Sequence, residues 1–170
     1  IDLVLSIDNV FAKDNFETTE KRLEHYGLVD PRLKIKHFPT REEYIKYLQK
    51  GHVFLSCARS EGWNLPLIES LACGTPSIYT KCSGQLEFTK SKGLGVEILG
   101  EEKAGKNIPG NFYTPDLDDL VKKIKDSYNN YNVWKKWHLD RSKEIREEYS
   151  WKNQAKKAYN RLQQIKITPK

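Results

Sequence analysis

The apolar residues of the chain follow two alternating spacings. Short β-rich runs alternate with longer segments in which apolar residues recur every three or four positions, the spacing of a helix. Strands are predicted at residues 1–7, 33–38, 52–56, 77–80 and 95–99, with helices between them at 17–27, 41–50, 64–74 and 85–88. Strands separated by helices favour a parallel sheet with helices on both faces.

Capping residues fix the limits of these predicted elements. Gly27, Gly51 and Gly74 each follow a helical pattern and are typical helix stops. Asn64 can cap the helix that follows it, and Pro66 fits the first turn of that helix. With right-handed crossovers, the pattern predicts an α/β fold, a Rossmann-like doubly wound sheet.

The last third of the chain predicts helices only. Residues 100–110 are polar and contain glycine, so we expect a mobile loop there. Thr114 and Pro115 predict the start of a helix that runs to about Asn129. Helices over 133–148 and from the Ser150 cap to about Ile167 complete the chain. We place no domain boundary, so residues 1–170 are predicted to form a single domain.

The net charge of +6 lies entirely in the last third. Residues 1–114 contain 15 Lys and Arg against 15 Asp and Glu, whereas residues 115–170 contain 14 against 8. Two explanations stay open. The excess is either a solvated helical face or an attraction to an anionic surface, a membrane or a phosphate-bearing partner.

Composition excludes several classes of protein. No apolar run is long enough to span a membrane. The three cysteines form no CxxC pair and the four histidines are scattered, so no metal site is expected. The cysteines are expected to be reduced thiols in the cytoplasm. Basic residues interleaved with Trp and Tyr suggest nucleic acid as a partner. Because no RNP, KH or helix-turn-helix signature is present, we expect no nucleic-acid partner.

A candidate ligand site follows the third predicted strand. Ligands of open α/β sheets bind beyond the carboxyl ends of the strands, where Glu61 and Gly62 lie in a loop. Amides at the next helix start suit a phosphate, and Glu69, one turn further on, suits a ribose diol. A solvated loop acid and an ordinary first-turn glutamate remain the alternatives.

The segment "VFLSCARSEGWNLPLIESLACGTPSIYT" resembles the C-terminal domain of GT-B glycosyltransferases, most closely the retaining glycosyltransferase family 4. The matching positions are Ser60 to Gly62, Leu65 and Pro66, Glu69, and Ala72 to Pro76. "KCSGQLEF" is similar to the glycine-rich turn of that family, and "YSWKNQAKKAY" to its final helix. The resemblance covers most of the chain.

The resemblance implies a role for each matching residue. Glu61 would be catalytic, contacting hydroxyls of the donor sugar, and Glu69 would hold the ribose. Gly62, Trp63 and Asn64 would line the sugar and phosphate by their backbone. Ser83, Gly84 and Gln85 would lie near the diphosphate, and Thr40 near the nucleobase. A nucleotide sugar would be the donor, with no metal and no cofactor.

Two positions depart from the family pattern. Trp63 stands where phenylalanine is usual, and either packs on the helix or stacks on the donor. Asn64 stands where glycine is usual; it tolerates a left-handed backbone, but its side chain is expected to intrude on the site. The segment "SIDN" also lacks the glycines that members often carry there.

The resemblance further implies that the chain is a fragment. The chain opens on a strand without an initiator methionine. Family members have an earlier strand and helix, an Arg and Lys that neutralise the diphosphate, and an N-terminal domain that binds a glycan or lipid-linked acceptor and supplies a histidine. The expected parent is a retaining hexosyltransferase-type enzyme of the cytoplasm, with peripheral membrane contact left open. A non-enzymatic nucleotide-binding or regulatory domain of the same fold is the alternative.

Overall fold

The structure is a computed structural model that describes residues 1–6, 16–105 and 109–165. Its Cα positions group into two compact units, Ile1–Tyr44 and Ile45–Lys170. In the first unit, strands β1 (Leu3–Leu5) and β2 (Leu33–Ile35) pair in parallel, with Leu3 opposite Leu33. Helix α1 (Thr19–His25) connects them and is capped by Thr18, whose hydroxyl accepts the Lys21 amide. "SIDN" lies mainly outside the described residues.

The second unit contains a three-stranded parallel sheet. Helix α2 (Arg41–Lys50) runs across the division between the units and is followed by β3 (Phe54–Ser56), α3 (Leu65–Ala72) and β4 (Ser77–Thr80). A 3₁₀ turn (Ser83–Gln85), α4 (Leu86–Thr89) and β5 (Leu94–Val96) come next. The strand order is β3-β4-β5, with β4 in the centre and all four of its residues buried.

Two consecutive residues of β4, Ile78 and Tyr79, belong to separate hydrophobic cores, one on each face of this sheet. Tyr79 packs in a cluster with buried residues of α3, α4 and α6, including Leu67 and Phe88. Ile78 packs with Leu94 and Val96 on the other face, against residues of α5 and the start of α6. Helices therefore cover both faces, which confirms the predicted α/β class.

Three helices complete the chain: α5 (Leu117–Asn129), α6 (Tyr131–Glu148) and α7 (Trp151–Gln164). Helix α6 closes the carboxyl end of α3 with two cations. Lys135 donates to the carbonyl of Gly74 at 3.0 Å, and Arg146 donates to that of Ala72 at 2.6 Å. Cations at a helix carboxyl end satisfy its free carbonyls and oppose its dipole. Part of the basic excess of the last third therefore stabilises the fold.

The prediction of a loop over residues 100–110 is wrong for residues 100–103, which lie in a strand, and residues 106–108 lie outside the described residues. The predicted helix start at Thr114 and Pro115 is also wrong. The chain forms an antiparallel hairpin of β6 (Ile98–Lys103) and β7 (Asn111–Pro115), and α5 starts at Leu117 under an Asp116 cap. All residues of β6 are exposed, so no apolar alternation marks it in the sequence. The predicted strand 95–99 is divided at Glu97 between β5 and β6.

Within the described ranges, no helix combines the length and the apolar character needed to cross a membrane. The same ranges contain no group of three or more His, Cys, Asp or Glu side chains that could hold a metal ion. The three cysteines are free thiols, and burial raises the pKa of each of them.

Candidate functional site

The site is built where β3 and β4 end, at their carboxyl edge. Residues 57–63, here called the Glu61 loop, connect β3 to α3. The Ser83–Gln85 turn follows β4, which is the neighbour of β3 in the sheet. Two segments that are about 20 residues apart in sequence therefore meet, as the parallel topology requires.

Asn64 ends the loop in the left-handed conformation, with φ 62° and ψ 67°. Asparagine tolerates this conformation because its short polar side chain bonds locally. Its Oδ1 accepts the Leu67 amide at 3.2 Å, which caps α3. The side chain is buried and turned towards the sheet, so the expectation that it intrudes on the site is wrong.

Gln85 meets Asn64 from the other segment. Asn64 Nδ2 donates to Gln85 Oε1 at 2.7 Å and to Ser56 Oγ at 2.9 Å. Gln85 Nε2 in turn donates to the Thr80 carbonyl and to Cys82 Sγ. Gln85 has no exposed surface, so its side chain braces the turn in this structure. Only the backbone of Gln85 could then lie near a diphosphate, and this predicted proximity stays a prediction.

The backbones of the two segments touch at Gly84. The Gly84 amide donates to the Glu61 carbonyl at 3.2 Å. A Cβ added at Gly84 would lie 1.9 Å from the carbonyl oxygen of Gly62, so only glycine permits this approach. A Cβ on Gly62 would meet nothing within 4 Å. Gly62 thus faces open space, which leaves room for a ligand above the loop.

Glu61 is the acid of this loop, and its carboxyl group is partly buried. Its carboxylate makes no hydrogen bond and no ion pair with any residue that the structure describes. Partial burial raises the pKa of this carboxyl. A partly desolvated carboxylate without a protein partner gains by accepting hydrogen bonds from hydroxyl groups, which a sugar carries.

The β6–β7 hairpin contacts the first half of the Glu61 loop through Arg59. The Tyr113 amide donates to the Arg59 carbonyl at 2.8 Å, and the guanidinium pairs with Glu102 and lies 5.3 Å from the Phe112 ring centre. The sequence did not single out Arg59, because its partners lie 43 to 54 positions away. Only the hairpin, which the sequence missed, shows its role.

The start of α3 offers fewer free amides than the sequence suggested. Pro66 has no amide hydrogen, and the Leu67 amide is used by the Asn64 cap. A phosphate here would depend on the amides of the preceding loop and of the Ser83–Gln85 turn. Glu69 lies half-buried on α3, one turn beyond Leu65. The predicted ribose contact of Glu69 stays a prediction.

Trp63 packs against protein, as one of its two alternatives expected. Its ring centre lies 5.4 Å from that of the buried Phe88 and 5.9 Å from that of Tyr149. The ring remains 37% exposed. Thr40 lies in the first unit, where its hydroxyl accepts the Glu43 amide at 3.2 Å and so caps α2. Its contact with a nucleobase stays a prediction.

The fold defines a Rossmann-like α/β protein, and the two segments at the strand ends form a candidate ligand site at the carboxyl edge of its parallel sheet. Residues 8–138 match the family described as glycosyl transferases group 1. The match covers most of the chain, so the chain belongs to this glycosyltransferase family and its resemblance to GT-B enzymes is confirmed.

Two known proteins illustrate the relationship. The chain is 26% identical over 162 residues to a sucrose synthase of Melioribacter roseus, an alignment that covers 89% of this chain and 19% of that protein. Its fold is similar to that of a sucrose-phosphate synthase from Thermosynechococcus elongatus, with a TM-score of 0.61 and 20% identity over 84% of this chain and 33% of the other. The chain therefore spans between a fifth and a third of the length of these two proteins.

Proposed function

We propose that this chain is the donor-binding part of a retaining glycosyltransferase that moves a sugar from a nucleoside diphosphate sugar to an acceptor hydroxyl. The observation that carries the proposal is the partly buried carboxylate of Glu61, which has no partner among the described residues and stands next to Gly62, the residue that faces open space. Family membership supports sugar transfer as the reaction. The names of the two synthases describe those proteins and do not identify the donor or the acceptor of this one.

The proposed roles divide the donor among the segments of the site. Glu61 accepts hydroxyl hydrogen bonds of the sugar, and Glu69 accepts those of the ribose. Backbone amides of Gly62 and Ser83 face the diphosphate, and Gly84, whose amide already donates to the Glu61 carbonyl, lies beside it. Transfer then depends on positioning and on electrostatic stabilisation of the leaving diphosphate, with no metal and no cofactor needed for the step.

The rest of the reaction is assigned to other parts of a longer protein. An N-terminal domain would bind a glycan or lipid-linked acceptor, and an Arg and Lys preceding these residues would neutralise the diphosphate. The proposed setting is the cytoplasm, a reducing compartment in which free thiols such as those of this chain stay reduced.

The test separates the sugar from the diphosphate. The ¹⁵N-labelled chain is titrated with UDP, GDP and ADP, and with their glucose conjugates, while the amides of Gly62, Ser83 and Gly84 are followed by NMR. At least one of the three nucleoside diphosphates should change the chemical shifts of these amides. Glu61→Gln should weaken binding of the corresponding nucleotide sugar and leave binding of the diphosphate unchanged, because Glu61 is assigned to the sugar.

Glu101→Gln, on the exposed strand β6, makes the same chemical change at a residue outside the two segments of the site and should alter neither affinity. Equal effects of Glu61→Gln on sugar-bearing and sugar-free ligands would contradict the sugar role. If the chain binds nucleotide sugars as expected but no longer form of the protein transfers the sugar, the non-enzymatic nucleotide-binding domain would be favoured instead.

A further inference from the structure

Two buried amides lie between the segments that form the site. Asn64 is 6% exposed and Gln85 has no exposed surface. A buried amide is costly unless its hydrogen-bonding groups are satisfied. Both hydrogens of Asn64 Nδ2 are used, by Ser56 Oγ and Gln85 Oε1, and its oxygen accepts the Leu67 amide. Gln85 Nε2 donates to the Thr80 carbonyl and to Cys82 Sγ.

These bonds connect four pieces of backbone. Ser56 is the last residue of β3, Thr80 is the last residue of β4, Leu67 lies in the first turn of α3, and Cys82 immediately precedes the Ser83–Gln85 turn. The Asn64–Gln85 bond is the bridge between the β3 side and the β4 side. Next to it, the Gly84 amide donates to the Glu61 carbonyl, so side chains and backbone hold the same two segments together.

We infer that Asn64 and Gln85 are positioning residues, which hold the Glu61 loop and the Ser83–Gln85 turn in one fixed arrangement before any ligand is bound. This inference rests on the proposed function, since it assigns both segments to the donor. Neither amide touches the ligand. A site whose segments are already ordered loses less conformational entropy on binding and therefore binds more tightly.

The geometry explains why two amides are required. A glycine at position 64 would adopt the left-handed backbone without strain but could not reach Ser56 or Gln85. A carboxylate at position 64 could cap Leu67 yet would place an oxygen against Gln85 Oε1. Rotating the Gln85 amide would not help, because its oxygen would then face the Thr80 carbonyl.

The decisive variant is Asn64→Asp, which keeps the size of the side chain and the cap on Leu67 while breaking the bridge. Amide hydrogen exchange of Gly84 should become at least tenfold faster, because its bond to Glu61 joins the two segments. The dissociation constant for whichever of UDP, GDP and ADP binds best should rise five- to tenfold. Asn132→Asp makes the same change on the exposed face of α6 and should alter neither quantity.

Asn64→Gly serves as a second variant if Asn64→Asp does not fold, and the same two changes are expected. Faster Gly84 exchange with an unchanged diphosphate affinity would overturn the inference, since the bridge would then serve stability alone. Unchanged exchange in a folded variant would also overturn it. If the parent chain binds no diphosphate, the proposed function fails, whereas the exchange measurement still decides whether the bridge orders the two segments.

Discussion

At the scale of single residues, the site depends on where each polar atom finds its partner. Asn64 and Gln85 satisfy one another, whereas Glu61 is left without a partner among the described residues. This contrast separates side chains that shape the site from side chains that are free to meet a ligand. Buried polar groups are stable when paired, so an acid without a partner at a strand end is the stronger candidate for binding.

Replacing Glu69 tests the proposed ribose contact. Glu69→Gln should weaken nucleoside diphosphate binding by about 1.5–3 kcal/mol, the contribution of a hydrogen bond to a charged group. Isothermal calorimetry provides the measurement, and inorganic pyrophosphate, which has no ribose, should bind both proteins equally. Glu147→Gln on the exposed face of α6 is the matched control. Equal nucleoside diphosphate affinities for Glu69→Gln and the parent would remove the ribose role.

Thr80 provides a test of polar satisfaction in the core. Its Oγ1 is buried and has no hydrogen-bond partner among the residues that the structure describes. Thr80→Val keeps the shape and removes the unsatisfied hydroxyl, so the free energy of unfolding should rise by about 1 kcal/mol. Thr75→Val should instead lower it by a similar amount, because Thr75 Oγ1 donates to the Leu48 carbonyl at 2.7 Å. Urea denaturation of both variants gives the comparison.

At the scale of secondary-structure elements, α6 holds α3 and β4 in place through polar contacts. Lys135 and Arg146 close the end of α3, and His138 contacts the start of β4. His138 Nε2 accepts the Ser77 amide at 3.2 Å, while Nδ1 bonds the Trp134 carbonyl at 2.8 Å. Because Nε2 must accept, the neutral ring fits this position, and protonation would oppose the bond to Ser77.

Stability should therefore fall in mild acid. Burial lowers the pKa of His138 to about 4, below the usual value of 6.5 in the unfolded chain. Between these values the unfolded state binds more protons, so the free energy of unfolding decreases as the pH falls from 6.5 towards 4. The slope approaches about 1.4 kcal/mol per pH unit, and the total loss is about 3 kcal/mol.

The variant His138→Gln lacks this titration, so the pH dependence of its unfolding should be shallower across the same window. Thermal unfolding followed by circular dichroism from pH 4 to pH 7 measures the difference between the two proteins. Parallel curves would show that His138 does not carry the acid sensitivity.

At the scale of the whole molecule, charge and length set the expectations. Helix α7 contains Lys152, Lys156, Lys157 and Arg161, no acidic residue and a Trp151 that is 92% exposed. If this face attracts an anionic membrane surface, the chain should sediment with anionic vesicles at low salt and be released as salt rises, since each cation contributes about 1 kcal/mol. Neutral vesicles are the control, and equal sedimentation with both would leave a solvated helical face.

The 170-residue chain alone should bind donor weakly and transfer no sugar. In the proposed arrangement the acceptor is held by residues other than these, so the gain from holding the attacking hydroxyl near the anomeric carbon is absent. Donor affinity should lie between about −4 and −6 kcal/mol, or high micromolar to millimolar. Radiolabelled nucleotide sugars with candidate acceptors provide the assay. Turnover above the uncatalysed background would show that these residues contain a complete site.

The sequence by itself determined the order of most elements and the positions of the candidate site. Local rules were sufficient, because apolar spacing distinguishes strand from helix and Asn64 and Pro66 mark the start of α3. The motif from Ser60 to Pro76 indicated the family, which the match over residues 8–138 confirms. The prediction of a single domain and the roles of individual site residues stay predictions.

Tertiary structure decided the features that depend on partners distant in sequence. Strand β6 is exposed along its whole length and has no apolar alternation, so only its pairing with β7 shows the hairpin. The side chain of Asn64 faces inward because Gln85, 21 positions away, offers it an acceptor. Arg59 matters through Glu102 and Tyr113. A sequence pattern reports local preference, whereas the choice of a hydrogen-bond partner is made only when the folded chain brings both groups together and excludes water.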